Sequence, residues 1–167
     1  MNEPEKVLFE RSQKLKEEGN KAFSNGQYEK ALSIYTKALE ILHSNHQGGI
    51  QNVDYNQISS VLDLNISMCY YKLGKLEQSL SFVDRALENN SEYVKAYYRK
   101  SVILKDMKNY QDSIICLKRL LGLDPKNKEA KDLLEQLRNE LIQEDSENKN
   151  PVLLLEKELK HSDLGKK

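Results

Sequence analysis

Asn25-Gly26-Gln27-Tyr28-Glu29-Lys30-Ala31-Leu32 returns twice further along the chain, as Leu73-Gly74-Lys75-Leu76-Glu77-Gln78-Ser79-Leu80 and as Met107-Lys108-Asn109-Tyr110-Gln111-Asp112-Ser113-Ile114. Each version has a polar or glycine turn, an aromatic residue or leucine, two polar residues, a small residue and an apolar one. The chain therefore holds three copies of one unit. With Gly26, Gly74 and Lys108 at the fifteenth place, the copies begin at Ser12, Ser60 and Val94.

The second and third copies begin 34 residues apart, a period that resembles the helix-turn-helix unit of tetratricopeptide repeats. The repeats then lie near 12–45, 60–93 and 94–127. The first two are separated by an insertion of 14 residues, His46 to Ser59. It opens with His46-Gln47-Gly48-Gly49, whose paired glycines favour a loop, and its later part can lengthen a neighbouring helix.

Within a unit the apolar residues recur at helical spacing. Leu15, Ala22 and Phe23 share one face; Ala31, Ile34, Tyr35, Ala38 and Leu39 form a second stripe at i, i+3, i+4, i+7 and i+8. Neither helix can bury its stripe alone, so adjacent units must stack. Gly19 suits a close approach of two helices, and Ala31, Ser79 and Ser113 recur as small residues at one packing position. The expected fold is all-α: three helix-turn-helix repeats stacked as a superhelix. Asp124-Pro125 ends the last repeat, and Ala130, Leu133, Leu134, Leu137 and Leu141 predict a capping helix near 126–143. The domain is thus placed at 8–143. A polar tail, 144–167, follows, in which Val152 to Leu159 can form one more short helix.

Composition narrows the functional classes. The 167 residues carry 26 Lys+Arg against 26 Asp+Glu, and without a basic run this balance argues against a nucleic-acid partner. No stretch of about 18 apolar residues is present, and Met1-Asn2-Glu3-Pro4-Glu5-Lys6 lacks the basic-then-apolar opening of a secretion signal, so the expected location is cytoplasmic and no membrane is expected as a partner. Cys69 and Cys116 fall within apolar helix faces, as buried reduced thiols do. His43, His46 and His161 have no metal-ligand spacing. With no phosphate-binding glycine loop and no nucleophile beside a base, no catalytic residue, metal or cofactor is expected.

The candidate site comes from the first helices of the three repeats. Lys16 and Asn20, then Asn65, then Lys95 and Arg99 occupy places two, five, six and nine of their units, one stripe at i, i+3, i+4 and i+7. Stacking aligns that stripe across a common surface. The same stripe carries Leu64, Met68, Tyr98 and Val102, which makes the surface cationic, amide-rich and interrupted by apolar patches. Lys and Arg donate charge-assisted bonds to carboxylates, and Asn can bond a carboxylate or peptide backbone. Such a groove suits a peptide ending in an acidic residue, with Leu64, Met68 and Val102 receiving an apolar side chain. Of the repeat tyrosines, Tyr28, Tyr35, Tyr70, Tyr97 and Tyr110 read as packing residues and only Tyr98 as groove-facing.

Lys16-Glu17-Glu18-Gly19-Asn20, Leu64-Asn65-Ile66-Ser67-Met68-Cys69-Tyr70 and Lys95-Ala96-Tyr97-Tyr98-Arg99 resemble the carboxylate clamp of tetratricopeptide co-chaperones. Leu64 to Leu73 and the insertion after the first repeat look most like the large FKBP-type immunophilins. The resemblance implies an adaptor that holds the free C-terminal Asp of the Glu-Glu-Val-Asp tail of the 70-kDa or 90-kDa cytosolic heat-shock chaperones through Lys16, Asn20, Asn65, Lys95 and Arg99. Two alternatives stand beside it: a repeat scaffold for another protein segment, and the repeat portion of a peptidyl-prolyl isomerase whose catalytic domain lies outside this chain.

Overall fold

A computed structural model describes residues 3–44 and 53–148. Among these residues there are seven helices and no strand: α1 (Glu3–Ser24), α2 (Tyr28–His43), α3 (Val53–Lys72), α4 (Leu76–Asn89), α5 (Val94–Asp106), α6 (Tyr110–Leu123) and α7 (Lys128–Asn148). They divide between two compact units, Met1–Pro125 and Lys126–Lys167.

In the first unit the helices pack as the pairs α1–α2, α3–α4 and α5–α6, and α2 meets α3 and α4 meets α5 to join the pairs. Each pair turns at the repeated segment that reveals the period. Gly26 and Gly74 have φ of 74° and 72°, and Lys108, at the same place in the third repeat, has φ 61°. This left-handed backbone is open to glycine and costs a side-chain-bearing residue energy. The third turn compensates at its next residue. Asn109 Oδ1 accepts from the Asp112 backbone N–H at 3.3 Å and caps α6, whereas Gln27 and Lys75 provide no side-chain cap for α2 and α4.

The small residues mark the crossing of the two helices in each repeat. Ser67 Oγ donates to the Ser79 carbonyl at 2.7 Å, and Ser79 Oγ donates back to the Ser67 carbonyl at 2.8 Å. Ser113 Oγ reaches the Ser101 carbonyl at 2.7 Å. The first repeat has Gly19 and Ala31 at the corresponding places and no such bond to make. It fills the space with Tyr35, whose ring packs where a Gly19 side chain would be.

Two apolar clusters continue this packing. Ala22, Tyr35, Ala38, Leu39, Ile58, Leu62, Ile66 and Cys69 form one across α1, α2 and α3. Leu64, Val83, Ala86, Ala96 and Ile103 form the other across α3, α4 and α5. Both cysteines are buried free thiols, as their apolar surroundings predict. Burial pushes the Cys69 thiol up to about 12.

The helix bounds depart from the sequence reading in two places, the start of α1 and the end of α7. Helix α1 begins at Glu3, upstream of the first repeat's Ser12. The later part of the insertion lengthens a neighbouring helix as its sequence allows: α3 starts at Val53, while His46 and Gly48-Gly49 lie outside the described residues. Helix α7, the main described element of the second unit, runs through the polar stretch to Asn148 instead of ending near 143, because no glycine or proline interrupts it before Pro151. Its start is fixed by Asn127, whose Oδ1 accepts from the Ala130 backbone N–H at 3.0 Å. The Val152 to Leu159 segment and His161 also fall outside the described residues.

Candidate peptide-binding site

A pocket of about 280 Å³ opens among α1, α2, α3 and α5, lined by Asn20, Phe23, Ser24, Tyr35, Asn65, Met68 and Arg99. Three of the five residues expected to bind a carboxylate therefore meet in one cavity, each from a different repeat. Lys16 precedes Asn20 by one turn of α1 and Lys95 precedes Arg99 by one turn of α5. Neither lysine lines this pocket; both sit one turn toward the start of the helices that do.

A hydrogen-bond junction organises the pocket. Tyr35 Oη donates to Asn20 Oδ1 at 2.6 Å, and Asn65 Nδ2 donates to the same oxygen at 3.3 Å. With its oxygen taken by two donors, the Asn20 amide presents its NH₂ edge to an acceptor. Tyr35 is 2% exposed, and burial, followed by the neighbouring Cys69, pushes its phenol up to about 12. It stays protonated and remains a donor across the ordinary pH range.

A second cross-repeat bond lies on the same helices. Tyr71 Oη donates to Asp106 Oδ2 at 2.6 Å, tying the end of α3 to the end of α5. That bond is the main reason the Tyr71 phenol is raised; Arg99 acts against it.

The apolar candidates separate. Met68 lines the pocket and is half-buried. Leu64 does not face a ligand: it is 6% exposed and packs with Val83, Ala86, Ala96 and Ile103. Its place in the middle repeat turns inward because α4 of its own repeat and α5 of the following one cover it. Tyr98 and Val102 are half-buried and lie outside the pocket lining. Tyr35, by contrast, is both a core residue and a wall of the pocket, so Tyr98 is not the sole groove-facing tyrosine. Phe23 and Ser24 complete the lining; no local pattern distinguishes them from the rest of the α1 face, but they follow Asn20 by one turn, the spacing that would have found them.

The site is thus a polar pocket with three amide or guanidinium groups, an apolar wall and lysines one turn away. Among the described residues no group of His, Cys, Asp and Glu is gathered that can hold a metal ion. The fold and groove define a helical-repeat domain with a built pocket on the face shared by its first helices.

The tetratricopeptide repeat family model matches residues 64–93 and 94–127. Among curated proteins, human sperm-associated antigen 1 is 36% identical over 123 residues, covering 74% of this chain and 12% of that protein. The Hsp70-Hsp90 organising protein of Plasmodium falciparum is 26% identical over 141 residues, covering 84% of this chain and 50% of its own length. The chain therefore spans half or less of these relatives. Among solved structures, the first tetratricopeptide domain of Spaghetti (RPAP3), bound to the HSP90 peptide SRMEEVD, has a TM-score of 0.68 at 28% identity, over 80% of this chain and 97% of that one. The C-terminal repeat domain of a putative FK506-binding protein from Plasmodium falciparum shares the fold, with a TM-score of 0.72 at 20% identity over 87% of this chain and 97% of that one. The chain is a tetratricopeptide-repeat domain, similar to those of RPAP3 and of the Hsp70-Hsp90 organising protein, and it shares its fold with the repeat domain of the FK506-binding protein.

Proposed function

We propose that this domain is a co-chaperone adaptor that binds the acidic C-terminal tail, ending Glu-Glu-Val-Asp, of the cytosolic 90-kDa or 70-kDa heat-shock chaperones. The observation that carries the reading is the meeting of Asn20, Asn65 and Arg99, from three repeats, in one pocket. A terminal Asp brings two carboxylates within one residue. Arg99 supplies a planar pair of donors to one of them, and the amides of Asn20 and Asn65 bond the other or the adjoining backbone. Lys16 and Lys95 add positive charge one turn away. Met68 and Phe23 offer an apolar surface to the residue before the terminus.

The first repeat domain of Spaghetti, similar in fold and 28% identical, is solved bound to the HSP90 peptide SRMEEVD, and this supports the reading. In this reading the domain is a binding module and not a catalyst, and it works in the cytosol, where such tails are presented. No described helix is long and apolar enough to cross a membrane.

Each charge-assisted bond contributes roughly 1.5–3 kcal/mol before solvent screening, and ordering the peptide costs roughly 2–5 kcal/mol, which leaves an affinity of about micromolar. Calorimetry with a free-acid peptide and its C-terminal amide tests the proposal. The acid binds, the amide binds at least tenfold more weakly, and Lys95→Ala and Arg99→Ala each abolish capture while leaving the fold intact; equal binding of acid and amide rejects it. Running the 70-kDa and 90-kDa tails side by side assigns the preferred chaperone.

A further inference from the structure

We infer that Tyr35 is a positioning residue for ligand recognition: its hydroxyl holds the Asn20 amide in the one orientation that offers NH₂ to a ligand carboxylate. The inference rests on the acidic-tail reading of the pocket and assigns a role to a residue on a second helix, outside the stripe that carries the proposed ligand contacts.

An Asn side chain can turn its amide over at little intrinsic cost, exchanging an acceptor edge for a donor edge. Facing a carboxylate, only the donor edge binds; the oxygen edge repels it. The orientation therefore decides whether Asn20 attracts or opposes the ligand. The 2.6 Å bond from Tyr35 Oη supplies the bias, and the 3.3 Å bond from Asn65 Nδ2 acts in the same sense. Asn20 itself is exposed, so without these partners water competes for either edge.

The donor is held as firmly as the fold allows. Tyr35 is 2% exposed and belongs to the core cluster with Ala38, Leu62 and Ile66. Its ring occupies the space left by Gly19, one residue before Asn20, so the hydroxyl and the amide it orients are set by the same helix crossing. The other two repeats have Val83 and Leu117 at the place of Tyr35, and Ser67 and Ser101 at the place of Gly19. Both of those repeats close their crossings with serine bonds to the backbone. The Gly19–Tyr35 pair is thus found only in the repeat that presents Asn20 to the pocket.

Tyr35→Phe, which keeps the ring and removes the hydroxyl, is the test variant. Calorimetry with a free-acid peptide ending Glu-Glu-Val-Asp should show about tenfold weaker binding than wild type. In an Asn20→Ala background the same change should have no further effect, an outcome that a merely structural role for the hydroxyl does not give. Nuclear magnetic resonance of the ligand-free domain reads the orienting bond: the Asn20 side-chain NH₂ signals stand away from the positions of a free, solvated amide in wild type and move toward them in the Phe variant. An unchanged Asn20 signal, or equal loss of binding with and without Asn20, overturns the inference. A wild type that ignores the peptide while its Asn20 signal still depends on Tyr35 sinks the acidic-tail reading and leaves the orienting bond standing.

Discussion

A Cβ on Gly19 would lie 2.5 Å from Cε1 and 2.7 Å from Cδ1 of Tyr35. The glycine in α1 is therefore the room that the tyrosine of α2 needs, and the tyrosine in turn reaches Asn20 in the pocket. Packing and recognition share one contact.

Gly19→Ala separates the helices of the first repeat, since the buried ring has nowhere to move. Overpacking costs roughly 1–3 kcal/mol, while alanine returns up to about 1 kcal/mol of helix propensity. The net expectation is a loss of about 1–2 kcal/mol in urea unfolding, accompanied by weaker binding of the acidic peptide as Tyr35 is displaced from Asn20. A more stable variant with wild-type binding would contradict the contact.

Leu64 and Met68 sit one helical turn apart and should respond oppositely. Leu64→Ala empties a core position and lowers stability by roughly 2–5 kcal/mol, with peptide affinity of the folded protein nearly unchanged. Met68→Ala lowers stability by less than about 1 kcal/mol and weakens the peptide several-fold, because Met68 is half-buried at the pocket wall. Denaturant titration and calorimetry on both variants check the division.

Lys108 holds φ at 61°, where the first two repeats use glycine. Lys108→Gly removes the steric cost of that backbone and raises stability by about 0.5–1 kcal/mol after the greater freedom of the unfolded glycine is counted. A thermal melt showing no gain, or a loss, would mean that the lysine is held there by something stronger.

Asp63 is fully buried in α3. Arg85 Nη2 stands 3.2 Å from its Oδ1 without hydrogen-bond alignment, and Asn89 Nδ2 donates to its Oδ2 at 3.2 Å. Burial raises its pKa to about 6, against the lowering by Arg85 and Asn89 and with a small addition from Glu88. An acid whose folded pKa exceeds its unfolded value binds its proton more tightly in the folded state. Its stabilising contribution is therefore complete below the unfolded value near 3.8 and is lost as the pH rises through about 6. The size is up to roughly 3 kcal/mol. Asp63→Asn removes this titration, so the stability difference between wild type and variant should shift toward the variant between about pH 4 and about pH 7 in urea unfolding. A constant difference across that range would show that Asp63 does not titrate there.

The repeat period, the places of the turns and the helical faces were legible in the chain because each depends on residues close in sequence. A glycine or polar residue at the turn, a small residue at the crossing and apolar residues three and four apart encode a unit without reference to the rest of the molecule. The same spacing put Asn20, Asn65 and Arg99 on matching faces of three helices. Depth was not legible: Leu64 shares the stripe of Asn65 and Met68, yet α4 and α5 cover it. Nor was the Tyr35 bond to Asn20, which joins residues on two helices and exists only at the distance that Gly19 permits. Periodicity gives the direction of a side chain around its own helix. How far it reaches, and what it meets, is set by how closely the next helix packs.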